Sequence, residues 1–513
     1  MIRTALLLVV LLTTAATAAE PPVAAFSEDL VADVVATALD FIAPRLLTPM
    51  SVRQLALAGL RGLSVIDPAL AVDESGSNVR LLAGGQVLFD GQEPEENDPD
   101  GWGETAAELS EAAWTNSAVI RRAGAQTLIV DFFDELFDPL DRYSRYVPPA
   151  EAEPDRAERS GEGEIGATLV PRGGALVVSD LDPDGPAAAA GLRRGDHVLA
   201  IDNKRVSRRD AAAAVALLSG NAANPVTLTV ESHGVTRALS IARAALAAPR
   251  TVFAERRGEL LELRLTGFNA RSGAAVARAL ADAMAGRDRP RGIVFDLRGN
   301  RGGPLDQAVA VAGWLLAPGA LVATTVGRDP AANRVLQAGA ADLGGGLPVV
   351  VLVDGASASA AEIVAAALAD DRRAVVVGSA TQGKGLVQTV TMLPDGGELF
   401  VTWSRLLAPL GWPIQGLGVL PQVCTSLGKP ELDRQLADLA AGVAPLAHEL
   451  ALSRAARATL SAEDALAIRN ACPAAEGGDL DLAAARSLLR NREAYVAALL
   501  PAQLRATEAA RSP

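Results

Sequence analysis

The chain reads as an α/β protein with helical regions at both ends and a small β-rich block ahead of its main sheet. Three observations lead there. From Glu259 to Val401, β-rich runs alternate with helical stretches, the pattern of strands joined by crossover helices. Near the N-terminus, Leu30, Val31, Val34, Val35, Ala38, Leu39 and Ile42 recur at three- and four-residue steps, which is helical periodicity. Between Ile165 and Ala244, short β-type runs crowd together around a single helical stretch.

The bulk numbers bound the rest. At roughly 150 residues per domain, a chain of 513 residues holds two to four domains. Half of the residues are hydrophobic, enough to build several cores. A net charge of −14 without a basic stripe argues against a nucleic-acid partner.

Taken in order, Arg3, the apolar run Ala5–Leu12 and the small-x-small site Ala16-Thr-Ala18 predict a signal peptide over 1–19. The apolar run falls far short of the ~20 residues a membrane-spanning helix needs. An exported, periplasmic location is therefore expected. A helical region covers 20–150. Within it, Val79 to Phe89 alternates around Gly84-Gly85 and predicts a hairpin. Glu93 to Asp100 is an acidic loop; its Asp98-x-Asp100-Gly101 is similar to a calcium-loop fragment, but the twelfth position would be Ala107 and not Glu. A solvated loop is expected there. A helix pair follows from Glu104 to Phe137, then the turn-rich segment Asp138 to Pro149.

Glu151 to Glu162 is charged and reads as a linker. In the β-rich block, runs at Ala175–Val178, Val198–Ile201 and Val226–Val230 surround a helix at Ala211–Leu218. In the α/β part, strands are expected at Leu261–Leu265, Ile293–Phe295, Val349–Val353 and Val375–Val377. Helices are expected at Ala274–Met284, Leu305–Leu316 and Ala360–Ala369. Beyond Gly428 the sequence is Ala- and Leu-rich and helical.

The chemistry is bounded by what is scarce. The three histidines, His197, His233 and His448, form no HExxH or Cys/His metal pattern, and no GxxxxGK[ST] occurs. No metal or other cofactor is expected. Only three lysines occur, Lys204, Lys384 and Lys429, against 44 arginines. Arg is a permanent cation, whereas a buried Lys can serve as a base. Lys384 lies in Thr381-Gln-Gly-Lys-Gly-Leu-Val-Gln388. Upstream, Ser359 and Glu362 fit the S-x-x-E capping box before an apolar run. A serine at a helix N-terminus stands beside unsatisfied N–H groups that can stabilise an oxyanion. Asp296-Leu-Arg-Gly-Asn-Arg-Gly-Gly303 follows a strand, and its glycines allow close backbone approach. The two cysteines, Cys424 and Cys472, can form a single intramolecular bridge in an exported protein; two buried thiols are the alternative.

Jointly these segments resemble the C-terminal processing peptidases, or tail-specific proteases, from about Phe26 to Val423. The turn Asp138 to Pro149 is similar to the family's D-P-x-S-x-Y stretch. Gly185 to Asp202 looks like the heart of its PDZ domain. Asp296 to Gly303 matches D-L-R-x-N-x-G-G, and Ser357 to Glu362 matches S-A-S-A-S-E. Gly383 to Gln388 matches G-K-G-x-x-Q, and Ile414 to Val423 resembles I-x-G-x-G-x-x-P-D-V. The resemblance implies a crotonase/Clp-like α/β protease core over 250–425, a PDZ domain over 160–246 and a helical C-terminal region over 426–513.

It also implies roles. Ser359 aligns with the nucleophile, Lys384 with the general base and Gln388 with the residue positioning it. The amide of Ala360 and one from Gly302 or Gly303 would form the oxyanion hole. Glu164, Ile165, Gly166 and Ala167 match the carboxylate-binding loop of the PDZ module, which would take protein or peptide substrates with free, apolar C-termini. A homodimer is a further expectation from the family. Three departures stand out: Ala361 replaces the last Ser of the nucleophile segment, Arg301 replaces a Pro or small residue, and Gln422 replaces the closing Asp. The expected function is an exported Ser/Lys endopeptidase cleaving near C-termini. The alternative is a non-catalytic peptide-binding or scaffold member.

Overall fold

The structure, a computed structural model, describes residues 26–499 except 153–155, 157–162, 173–174, 183–184, 207–216, 219–223, 233, 246–250, 286–287 and 340. The predicted signal peptide, most of the predicted linker and most of the helix expected at Ala211–Leu218 lie outside the described residues.

The N-terminal region contains the helices Glu28–Ile42, Val52–Leu60, Gly62–Ile66, Pro99–Asn116, Ala118–Ala123 and Ala125–Phe137. The first buries the stripe that its periodicity marks, Val31 to Ile42, and packs on Pro99–Asn116. A meander of β1 (Leu70–Asp73), β2 (Asn78–Ala83) and β3 (Gln86–Gln92) interrupts the helices. Gly84 and Gly85 turn the β2–β3 hairpin with φ of 55° and 88°, a left-handed pair that side chains resist. Glu93 to Asp98 is a loop as expected, and the fragment from Asp98 onward starts a helix. Asp98 accepts the Gly101 N–H at 3.1 Å, with Pro99 at the first helical position. β4 (Arg145–Val147) ends this region.

The second block contains β5 (Gly163–Glu164), an antiparallel sheet of β6 (Ala167–Arg172), β7 (Ala175–Leu181), β8 (His197–Ile201), β9 (Lys204–Arg205), β10 (Val226–Ser232) and β11 (Val235–Ile241), and β12 (Ala244–Ala245), which pairs with β5 as a separate two-stranded sheet. The order is β11-β10-β8-β7-β6, with β9 on β8 and β12 paired to β5. Ile165, Leu176, Val198, Ile201 and Leu228 fill its core. β6 stands at the sheet edge, among the described strands.

The third block carries β13 (Val252–Arg257), β14 (Leu260–Leu265), β15 (Gly292–Asp296), β16 (Leu321–Gly327), β17 (Arg334–Gln337), β18 (Val349–Val353), β19 (Ala374–Gly378), β20 (Leu386–Met392), β21 (Glu398–Leu407) and β22 (Val423–Cys424). The main sheet runs β13-β14-β15-β18-β19-β22, parallel except for the β13 edge. Along β18, Val349, Val351 and Val353 face one core with the helices Ser272–Ala285, Leu305–Gly313 and Ala360–Asp370. Val350 and Leu352 face the other, under the C-terminal helices Lys429–Ala440, Asp479–Arg490 and Arg492–Leu499. A strand covered on both faces is a continuous apolar run, as Val349–Val353 is.

A second, antiparallel sheet, β17-β16-β21-β20, was not anticipated from sequence. β4 adds to it through β21, so Tyr146 joins Leu399 and Val401 in the N-terminal core. Its strands mix Thr, Gln and charged residues, and β13 reads Val-Phe-Ala-Glu-Arg-Arg. Edge and half-solvated strands lack the apolar run that marked the parallel ones.

Cys424, ending β22, is bonded to Cys472, and both are fully buried. The bridge ties the sheet to the segment after helix Ala462–Arg469, closing a separation of 48 residues. Replacing both cysteines by Ser should lower unfolding free energy by about 2–4 kcal/mol. Denaturant unfolding checks this; an unchanged midpoint would show that the bridge adds nothing.

Candidate active site

Ser359 sits where β18 hands over to helix Ala360–Asp370. The handover is held by Asp354, whose carboxylate accepts the N–H groups of Ala356 (3.0 Å), Ser357 (2.9 Å) and Gly299 (3.0 Å). Ser357 is fully buried and its hydroxyl donates to the Leu297 carbonyl at 2.8 Å. Of the two serines in the motif, Ser357 is thus spent on structure. Ser359 is partly exposed and has φ 54° and ψ −114°, outside the regions open to ordinary L-residues. Such strain is characteristic of sharp strand-to-helix turns that present a nucleophile.

Glu362, one helical turn on, is fully buried. Its Oε2 accepts the Ser359 N–H at 2.8 Å and the Lys384 N–H at 2.9 Å. Its Oε1 accepts the Gly383 N–H at 2.7 Å and the Thr381 hydroxyl. The capping-box half predicted from S-x-x-E is therefore present, and the same carboxylate also clamps the lysine loop. Burial pushes its carboxyl above the ordinary value, and the four donors pull against that. Sequence spacing gave no sign of this second task, because its partners lie about twenty residues away.

The lysine loop is fixed from its other side by the closing segment. Gly385 donates to Gln415 Oε1 at 2.9 Å, and Gly416 donates to the Gly383 carbonyl at 3.0 Å. A β-carbon on Gly385 would lie 2.2 Å from the Gln415 nitrogen, so only glycine fits. Gln422, the residue at the expected Asp, accepts the Val376 N–H at 2.7 Å through its amide oxygen. Its neutral side chain serves the main sheet.

Lys384 is half-buried, with Nζ 4.9 Å from the centre of the Tyr143 ring. Desolvation lowers its pKa below the ordinary 10.5; Arg145 and Arg142 lower it further and Glu362 opposes them. Among the described residues, no hydrogen bond joins the Lys384 amine to Ser359. Gln388 donates to Thr402 Oγ1 (3.1 Å) and to the Leu386 carbonyl (3.3 Å), and not to the lysine amine. Thr402 Oγ1 in turn donates to Asp141 at 2.8 Å. Asp141 also accepts the Tyr143 N–H (2.9 Å) and the Ser144 hydroxyl (2.6 Å). Tyr143, Asp141 and Thr402 were missed as site residues; the turn-rich, family-like segment 138–149 pointed toward the first two, and no sequence signal marked Thr402.

The glycine loop lies against the serine. A β-carbon on Gly302, at φ 100°, would stand 2.9 Å from Ser359 Cβ and 3.0 Å from the Ala360 nitrogen. One on Gly303 would meet the Phe268 carbonyl at 2.2 Å. The Gly302 N–H donates to Asn300 Oδ1 at 2.9 Å, and buried Asn300 also bonds the Leu265 carbonyl. Arg301 points to solvent. In the second block, Glu164 belongs to β5, Ile165 is buried, Gly166 turns with φ 73° and Ala167 opens β6. The Ile165 and Gly166 carbonyls are held by the Ala187 and Asp182 N–H groups.

A buried acid joins the backbones of a strained serine and a half-buried lysine beside a glycine loop, an arrangement compatible with a serine-peptidase type of site. Residues 259–425 match Peptidase family S41, and residues 177–232 match a PDZ domain. The carboxy-terminal-processing protease of Bartonella bacilliformis is 36% identical over 313 residues, 60% of this chain and 71% of that protein. The chloroplastic C-terminal processing peptidase of Tetradesmus obliquus is 30% identical over 344 residues, 63% of this chain and 72% of that protein. The chain belongs to peptidase family S41 and is a carboxy-terminal-processing serine peptidase with a PDZ domain.

Glu362→Gln replaces an acceptor oxygen by a donor facing N–H groups. It should cost about 2–4 kcal/mol of stability and about 10²-fold in hydrolysis through misplacement of serine and lysine. Denaturant unfolding and peptide hydrolysis check this; a variant with normal rate would refute the clamp.

Proposed function

We propose that the protein is an exported endopeptidase that uses Ser359 and Lys384 as nucleophile and base, and that its PDZ domain selects free, apolar C-termini. The observation that carries this reading is the single oxygen of Glu362 shared by the Ser359 and Lys384 amides. It fixes the backbones of both residues to one buried point.

Neutral Lys384 takes the hydroxyl proton as Ser359 Oγ attacks the peptide carbonyl. The developing oxyanion accepts from the Ala360 N–H, at the positive end of its helix, and from the glycine loop. Since Gly302 donates to Asn300, Gly303 is the better candidate for the second donor. The protonated lysine returns its proton to the leaving amine, and an acyl-Ser359 ester remains. Water then attacks that ester with Lys384 again as base, releasing the acid and restoring the serine.

The segment 163–167 and edge strand β6 support peptide capture by strand addition, with backbone N–H groups at Gly166 and Ala167 meeting the terminal carboxylate. The limits 160–246, 250–425 and 426–513 remain our division of the chain, with a crotonase/Clp-like core in the middle part. The buried disulfide fits an oxidising compartment and supports export.

Ser359→Ala, Lys384→Ala and Lys384→Arg should each abolish hydrolysis with the fold intact, because guanidinium cannot accept the proton. Only uncharged Lys384 is competent, so activity should rise with pH, with a midpoint below 10.5. Amidating a substrate's C-terminus should raise KM and spare the chemistry. Steady-state hydrolysis from pH 6 upward checks all three. Hydrolysis by Lys384→Arg would remove the lysine from the mechanism, and equal KM for acid and amide would remove the PDZ capture.

A further inference from the structure

The Lys384 amine lies against an aromatic ring from outside the segment that matches the peptidase family. Tyr143 lies on the turn between helix Ala125–Phe137 and β4, and its ring faces two cations: Lys384 Nζ at 4.9 Å and the Arg142 guanidinium at 5.0 Å. Arg145, two residues on, stacks on Phe400 at 4.0 Å and donates to the Tyr143 carbonyl at 3.2 Å. Asp141 locks the turn to Thr402 of β21, and Thr402 accepts from Gln388, which is on the same strand that leads away from Lys384. The turn is therefore pinned to the lysine's own sheet from both sides.

We propose that the turn Asp141–Arg145 is a positioning element of the active site: Tyr143 seats the Lys384 side chain, and Arg142 and Arg145 hold positive charge beside it. The inference rests on Lys384 acting as the base. An aromatic face attracts a cation and fixes where the amine sits. Two guanidiniums nearby disfavour a third positive charge, so they favour the uncharged amine that can accept a proton. The charged groups acting on the amine are Arg142 and Arg145 from this turn and Glu362 from helix Ala360–Asp370, and the Tyr143 ring lies 4.9 Å from it. Glu362 and the aromatic face favour the charged form, and burial and the two arginines oppose them. Both arginines are exposed, so their influence should weaken with salt.

The test is the pH profile of kcat and kcat/KM at low and high ionic strength. It compares Arg142→Gln/Arg145→Gln, Arg142→Lys/Arg145→Lys, Tyr143→Phe and Tyr143→Leu with the native enzyme. In the double Gln variant the rising limb should move up by about 0.5 pH unit at low salt, and less at high salt. In the double Lys variant it should stay in place. Tyr143→Leu should lower kcat about tenfold with KM unchanged, and Tyr143→Phe should restore kcat. An unmoved limb in the double Gln variant, or a Tyr143→Leu effect on KM alone, would overturn the inference. Lys384→Ala separates the two levels: if it hydrolyses peptide, the base assignment falls; if it is inactive while the limb is unmoved, only the role of the turn falls.

Discussion

The site depends on one buried carboxylate. Glu362 is fully enclosed, and placing a charge there is costly unless its oxygens are satisfied. They are, by four donors from two separate segments: Ser359 from its own helix start, and Thr381, Gly383 and Lys384 from the loop after β19. Breaking any one contact leaves either a buried N–H or a buried charge short of a partner. The strained backbone of Ser359 and the glycine-rich lysine loop are therefore held together by the same requirement for satisfaction.

Around that carboxylate, the layers act as a mould. The main sheet is covered on one face by helix Ala360–Asp370 and its neighbours, and on the other by the C-terminal helices. The C-terminal region also reaches the loops at the sheet's end. Arg469 donates to the Leu417 carbonyl at 2.8 Å; burial lowers its pKa and the charge of Glu362 raises it. The Cys472 and Ala475 carbonyls accept the Ala380 and Gly355 N–H groups, which brace the starts of both reactive segments. The disulfide at Cys472 secures this brace to β22. The helical ends are thus part of the support for the loops that carry Ser359 and Lys384, and the turn at Asp141–Arg145 extends that support from the N-terminal side.

Some of this was legible in the residues. The stripe Val31 to Ile42 and the run Val349–Val353 declare a one-sided helix and a two-sided strand, since burial on a face dictates apolar spacing. Lys384 stood out because lysine is rare here. Ser359 was recognisable as a helix start and, through the family resemblance, as the candidate nucleophile; the burial of Ser357 supplies a physical reason for that choice. The loop expected at Asp98 proved to be a cap, because Pro99 accepts the first helical position. The antiparallel sheet of β16, β17, β20 and β21 was hidden because polar residues break its apolar runs, even in largely buried β21, where Glu398, Thr402 and Ser404 are enclosed. The second task of Glu362 and the Asp141–Thr402–Gln388 chain were also hidden, since hydrogen bonds between distant segments leave no period in a sequence.

In the proposed mechanism Lys384 is a base that loses its charge at a lower pH than free lysine, because burial lowers its pKa. With three lysines in the chain, isotope-labelled lysine side chains can be followed individually by NMR, the Lys384→Arg variant identifying the signal. Lys384 should titrate below 10.5, and its midpoint should coincide with the rising limb of hydrolysis. A Lys384 signal that titrates at the value of free lysine, while hydrolysis rises at a lower pH, would contradict that mechanism.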